Sequence, residues 1–194
     1  MRQSRRHNRR SLMKFFEGVT LIVGGALVLW LGYGLLFESN IEAPTYTKLP
    51  SVGEVSLRSY PKILVVSHAM GSQNQSFRQL FRYIDGNNAA KQKIPMTAPV
   101  IQSNGQMMFV MPNAMAEAPD PTNSNLSVKS FNNLKVAVQS FRGSARGMAR
   151  AKKKLEKNIK AAGLTPTGVW YLSQYNSPWV FPLLRKNEVW IEVN

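Results

Sequence analysis

The sequence contains no cysteine. That absence excludes a disulfide framework, thiolate ligation of a metal, zinc–thiolate sites and a cysteine nucleophile. It leaves the redox compartment open. Histidine is nearly as scarce, with only His7 and His68. Acids are few as well: 10 Asp and Glu stand against 25 Lys and Arg. No nucleophile–base pair, metal-ligand spacing or carboxylate pair can be assembled from motifs.

What is present bounds the answer further. A chain of 194 residues allows one ordinary domain plus extras, and 44% apolar residues suffice for a core. The formal net charge of +15 is concentrated in two places. Residues 1–14 carry Arg2, Arg5, Arg6, Arg9, Arg10 and Lys14 without an acid. Residues 144–162 carry Arg146, Arg150, Lys152, Lys153, Lys154, Lys157 and Lys160 against Glu156 alone.

Residues 18–37 form an uncharged, largely apolar run between Glu17 and Glu38. A helix of that length spans about 30 Å, the thickness of a hydrocarbon core. Cations crowd its near side, so the positive-inside rule places the N-terminus in the cytoplasm and the domain outside, periplasmic in a bacterium. Trp30, Tyr33 and Phe37 lie toward the outer end, where interfacial aromatics are favoured. A cleaved signal peptide fits less well: the run exceeds the ~7–15 residues of a signal core. The nearest cleavage-like sequence, Ile41-Glu42-Ala43, is a poor match. The expected layout is a basic cytoplasmic tail at 1–14, a transmembrane helix at 15–37, a linker at 38–54 and a domain at 55–194. Pro44, Pro50 and Gly53 interrupt the linker, which reads as a tether.

The domain reads as two β-α-β-β pseudo-repeats. In the first, a strand at 62–68 precedes a helix at 72–84 whose apolar face is Phe77, Leu80, Phe81 and Ile84. Strands at 94–102 and 107–111 follow, joined by Ser103-Asn104-Gly105, a strong hairpin signal. In the second, a strand at 134–141 precedes a helix at 144–162, with Met148, Ala151, Leu155, Ile159 and Ala162 on one face and Gly163 as the stop. Strands at 168–175 and 188–193 end the chain. Pro112, Pro119 and Pro121 mark 112–127 as a loop. The expected class is α+β: a distorted antiparallel sheet or barrel with two flanking helices.

Two segments stand out. In Lys93-Ile94-Pro95-Met96-Thr97-Ala98-Pro99-Val100, alternation puts Ile94, Met96, Ala98 and Val100 on one face. Its prolines cannot donate to a ladder, so it reads as an edge strand. Between Pro178 and Arg185, a loop holds Trp179, Val180, Phe181, Leu183 and Leu184. Such apolar bulk in a loop points to a hydrophobic ligand, a partner or the membrane, or to a loop folded back on the core. Arg185 and Lys186 beside it are suited to a ligand carboxylate.

Together with Tyr83-Ile84-Asp85-Gly86-Asn87, Phe141-Arg142-Gly143 and the stretch 175–193, the 93–100 segment resembles the SOUL haem-binding protein family over roughly 55–193. The resemblance implies an eight-stranded antiparallel sheet or barrel with two helices. It also implies haem or a related tetrapyrrole in a hydrophobic groove between the first helix and the loop before the last strand. Carried onto this sequence, the groove residues are Asn74, Phe77, Phe81, Arg82, Trp179, Val180 and Phe181. Aromatic faces suit a macrocycle, and Arg82 suits a propionate. Some members carry a histidine where this chain has Ser59, in Arg58-Ser59-Tyr60, so no axial ligand is assigned there. His68 reads as a buried, hydrogen-bonded residue, and the methionines at 96, 107, 108, 111 and 115 as fillers of apolar gaps.

The expected role is that of a carrier or buffer that does no catalysis; the N-terminal helix makes the membrane a further partner, and its topology removes the domain from nucleic acid. An enzyme acting on a tetrapyrrole or small hydrophobic molecule, and an interaction module for protein or lipid, are the alternatives. The basic face of the second helix has two readings, a solvated surface and a contact with anionic lipid.

Overall fold

The computed structural model describes Gly25 and residues 41–144, 147–177 and 180–194. The expected transmembrane segment at 15–37 lies outside the described residues, Gly25 excepted. Among those described, no helix is long and apolar enough to cross a membrane.

Among the described residues from 41 onward, seven strands and two α-helices follow one another as β1 (Thr47–Val52), β2 (Val55–Ala69), α1 (Gln73–Ile84), β3 (Val100–Ser103), β4 (Gln106–Val110), β5 (Leu126–Arg142), α2 (Gly147–Ala161), β6 (Pro166–Gln174) and β7 (Lys186–Val193). A single 3-10 turn, Pro182–Leu184, precedes β7. All pairings are antiparallel, in the order β1-β2-β4-β3-β6-β7-β5, and a β2–β5 pairing closes the ring. The expected α+β barrel-like sheet is therefore present, with seven strands among the described residues where the resemblance implied eight.

The two halves map onto each other pairing by pairing. β2–β4 corresponds to β5–β7, and β3–β4 to β6–β7. β2–β5 and β3–β6 join the halves. β1 has no counterpart among the described residues. It lies along the first part of β2, with Thr47 opposite Ser59 and Val52 opposite Val55.

Three apolar clusters follow from this ring. Tyr60, Ile63, Val65, Met108, Val136 and Trp190 fill its interior. Leu80, Tyr83 and Ile84 of α1 pack on the outer face of β2 and β4. Ala151, Leu155 and Ile159 of α2 pack on the outer face of β5, β6 and β7. Helix α1 starts at Ser72, whose Oγ accepts from Gln75 N at 3.3 Å. The hairpin β3–β4 turns through Asn104 (φ 47°) and Gly105 (φ 67°), the left-handed pair that an Asn-Gly turn requires.

The structure corrects several expectations. The 93–100 segment is not an edge strand: only Val100 belongs to β3. Burial does not alternate along it, since Thr97 and Ala98 are both buried and Met96 is exposed. Its prolines remove ladder donors, and several of its polar groups find partners outside any ladder. Thr97 Oγ1 donates to Val110 O at 2.5 Å, and Ala98 N donates to Glu42 O at 2.8 Å.

The tether is also corrected within the described residues. Glu42 Oε1 accepts from Asn113 N at 2.7 Å, and Thr45 N donates to Asn113 Oδ1 at 3.0 Å. Residues 41–52 are thus part of the domain. The strands expected at 62–68 and 134–141 extend to 15 and 17 residues. On α1, Phe81 is 47% exposed, while Ser76 and Tyr83 are buried in its place.

Gly147 at the start of α2 is a tight spot. A Cβ there would lie 2.8 Å from Cδ2 of Phe141. Gly147→Ala is expected to displace that ring and cost about 1–3 kcal/mol, the usual range for overpacking. A denaturation midpoint unchanged from the parent would contradict this contact.

Candidate binding site

Helix α1 covers one outer face of the ring and α2 another, leaving the outer face of β3–β6 between them. The registers Val100↔Gln174, Ile101↔Ser173 and Gln102↔Leu172 put the axis relating the halves between Ile101 and Ser173. That axis exchanges Gln102 with Gln174, and the two side chains meet there, Gln102 Nε2 donating to Gln174 Oε1 at 3.0 Å.

A cavity of about 470 Å³ opens over this pair. Such a volume lies in the usual range for small-molecule sites. Asn74, Phe77 and Arg78, from the first two turns of α1, form one wall. Gln102, Met107, Gln174 and Asn187 contribute to the strand floor, and Asn176, Ser177 and Arg185 come from the loop before β7. Among the described residues no acid lines the cavity, so its two guanidiniums set a positive potential. The Phe77 ring is held edge-on against Phe109, with centroids 5.0 Å apart, and lies nearly parallel to Phe81 at 6.3 Å.

The loop wall is tied down by backbone groups. Arg185 Nε donates to Val180 O at 2.9 Å, and Lys186 N donates to Asn176 Oδ1 at 2.6 Å. Gly143 N donates to Arg185 O at 3.0 Å, while Asn187 Nδ2 donates to Gly143 O at 2.8 Å. The corner Phe141-Arg142-Gly143 therefore anchors this loop, with Gly143 at φ 107°.

Of the residues named from the sequence, Asn74 and Phe77 line the cavity. Phe81 stands behind Phe77, outside the lining. Arg82 sits one turn beyond the cavity on the exposed side of α1, and Arg78 occupies the place expected for it. Val180 is 3% exposed and packs into the protein. Phe181 is half-buried and starts the 3-10 turn. Trp179 lies outside the described residues. Arg78, Gln102, Gln174 and Met107 are additions. The strand-end glutamines could have been found from their alternate positions in β3 and β6, but their meeting depends on the β3–β6 register.

His68 is buried, with Nδ1 3.2 Å from Ser76 Oγ, as its sequence context suggested. Met107, Met108 and Met111 are buried, and Met115 packs against the α1 cluster, consistent with gap filling, whereas Met96 is exposed and fills no gap.

Behind the cavity, β7 turns Glu188 into the ring, where it is fully buried. Arg58 binds it with two hydrogen bonds, at 2.8 and 3.0 Å. Tyr175 OH (2.7 Å), Trp190 Nε1 (2.9 Å) and Ser140 Oγ (3.1 Å) also donate to it. Burial alone would push this carboxyl up. The hydrogen bonds and charge of Arg58, with those from Trp190 and Tyr175, outweigh burial and hold it below its ordinary value. Burial and the neighbouring carboxylate raise the Tyr175 phenol, and burial pushes Tyr60 up to about 12. The Arg58 guanidinium also stacks over Tyr46, 4.5 Å from its centroid.

Ser173 Oγ, opposite Glu188 on β6, is buried and has no hydrogen-bond partner. Removing an unsatisfied hydroxyl relieves a desolvation penalty. Ser173→Ala is therefore expected to leave stability unchanged or raise it by up to about 1 kcal/mol; a clear loss in urea unfolding would contradict this.

Comparison with solved structures places the fold. The C-terminal domain of EcmrR superposes with a TM-score of 0.54 at 11% identity, covering 74% of this chain and 99% of that one. A hydrolase from Listeria innocua gives 0.54 at 12% identity, covering 75% and 94%. At such identities the likeness concerns the fold alone. In sequence, human heme-binding protein 2 is 28% identical over 167 residues, with 73% of this chain and 79% of the human protein covered. The profile of SOUL heme-binding proteins matches residues 41–192, the full span of the barrel and both helices. The chain belongs to the SOUL heme-binding protein family.

Proposed function

We propose that the chain binds haem or a related tetrapyrrole in the cavity between α1 and the loop before β7, as a carrier or buffer without a chemical step. The observation that carries this reading is the lining itself: among the described residues, an aromatic wall at Phe77, two arginines and no acid. A flat macrocycle offers a face to Phe77. Its carboxylates suit Arg78 and Arg185, and the carboxamides of Asn74, Gln102 and Gln174 can donate to the same oxygens. The family and the name of the human relative point to the same ligand class.

The donor chemistry shapes the mode of binding. Among the described residues no histidine, tyrosine or cysteine lines the cavity, and the Met107 thioether is the one soft donor there. Recognition therefore falls to faces and carboxylates, with iron contributing redox and ligand-exchange chemistry of its own when present. Phe81 and Phe181 belong to this proposal as an outer apolar rim, and Arg82 as a more distant cation; Trp179, also named from the sequence, lies outside the described residues.

The N-terminal layout completes the reading. Residues 15–37 anchor the chain as a single-pass helix, the basic tail 1–14 stays in the cytoplasm, and the domain stands outside. Its support is the uncharged run at 18–37 with six cations on one side. Because the domain includes residues from 41 onward, the linker contracts to the residues just before it.

Titrating hemin into the full chain and following the Soret band tests the binding. A saturable shift at micromolar hemin is expected. A band that grows linearly, as for free hemin, would sink the proposal.

A further inference from the structure

Helix α2 presents two opposite faces. Ala151, Leu155 and Ile159 are buried against the barrel. Arg150, Lys153, Lys154, Lys157 and Lys160 are all exposed. At 100° per residue these five cations fall within about 120° of the helix circumference. The arc is centred nearly opposite the buried face. Glu156, the helix's one acid, lies at the edge of the stripe. Lys152 is set apart from it, with Nζ 4.5 Å over the Trp170 ring.

We infer that this stripe rests on the anionic headgroups of a phospholipid bilayer. Three observations favour lipid over other polyanions. The stripe is straight and about 15 Å long, which suits a planar surface. No aromatic side chain is interleaved among its cations, whereas single-stranded nucleic acid is held on stacking platforms. The chain before the domain also supplies the bilayer: the apolar run ends at Phe37 and the domain begins by Ile41. Four residue steps reach about 14 Å at most, so the barrel cannot leave the surface. This part rests on the anchor reading proposed above. Within that reach each cation near an anionic surface contributes about fivefold to association.

The lack of cysteine makes the test clean, because an introduced cysteine is unique. Ala161→Cys, exposed on the stripe side of α2, carries a fluorophore in the full chain, reconstituted in phosphatidylcholine vesicles with a headgroup-bound quencher. Adding phosphatidylglycerol is expected to raise quenching severalfold. High salt and the pair Lys153→Glu/Lys157→Glu should each return it to the phosphatidylcholine level. A control probe at Ser124→Cys, on a loop, should not respond.

Equal quenching at 161 in both lipids overturns the inference, as does a response to duplex DNA or RNA without one to phosphatidylglycerol. Flotation with phosphatidylcholine vesicles reports on the anchor separately. A chain that does not float contradicts the anchor, and the 161 probe then reads the stripe against added phosphatidylglycerol vesicles on its own.

Discussion

Glu188→Ala is expected to destabilise the protein by about 3–5 kcal/mol, the usual consequence of removing one partner of a buried ion pair. The carboxylate is fully buried and accepts from Arg58, Tyr175, Trp190 and Ser140. Without it, the Arg58 guanidinium loses its counter-charge, and the buried Trp190 indole N–H loses its partner. Tyr60 stacks on Trp190 with centroids 5.2 Å apart, so the loss spreads through the ring interior. Urea unfolding with a midpoint close to the parent's would contradict the role assigned to this network.

The same group gives stability a defined pH dependence. The folded-state pKa of Glu188 lies below its ordinary value of 4.5. Its contribution is therefore fully present above the unfolded value and is lost as pH falls through the folded one. Glu188→Gln should flatten the acid limb of the stability profile as well as lower its plateau.

Arg78→Ala is expected to weaken tetrapyrrole binding about tenfold. A hydrogen bond to a charged group contributes about 1.5–3 kcal/mol, and the exposure of Arg78 puts this one at or slightly below the low end. Folding should be untouched, since the side chain's recorded bond is a single exposed contact from Nε to Asn74 O at 3.3 Å. Phe77→Ala removes the aromatic wall and its packing on Phe109, and should weaken binding at least as much. Arg82→Ala, one turn away, should leave affinity unchanged. If Arg82→Ala weakens binding and Arg78→Ala does not, the ligand sits farther along α1 than the cavity indicates.

Much of the fold was legible because local signals and tertiary packing agree. Ser72 marks the start of α1 by capping it. Asn104-Gly105 sets the β3–β4 turn, and Ala151, Leu155 and Ile159 give α2 its inner face. The long strands were underestimated for a physical reason. Between the pairs Tyr60↔Leu134 and Lys62↔Asn132, Asn133 adopts φ 54°. The inward set changes parity there, from Tyr60 to Ile63 and Val65, so a period-2 reading stops short. β1 was missed because its six residues are mostly exposed and include Pro50.

The candidate site was legible only in outline. Asn74 and Phe77 lie on the helix turns that form its wall, but the choice between Arg78 and Arg82 depends on where the cavity opens along α1. The Gln102–Gln174 pair joins residues 72 positions apart. Glu188 is still less visible: its chief partner, Arg58, is 130 positions away. Only the closed ring brings them together.

Paramagnetic mapping tests the central claim most directly. Hemin added to the isotope-labelled full chain should broaden the amide signals of Asn74, Phe77, Arg78, Gln102 and Gln174 first, leaving those of Leu155 and Ile159 in α2 sharp. Broadening centred on α2 or on the ring interior, or uniform loss of signal without a site, would contradict the account.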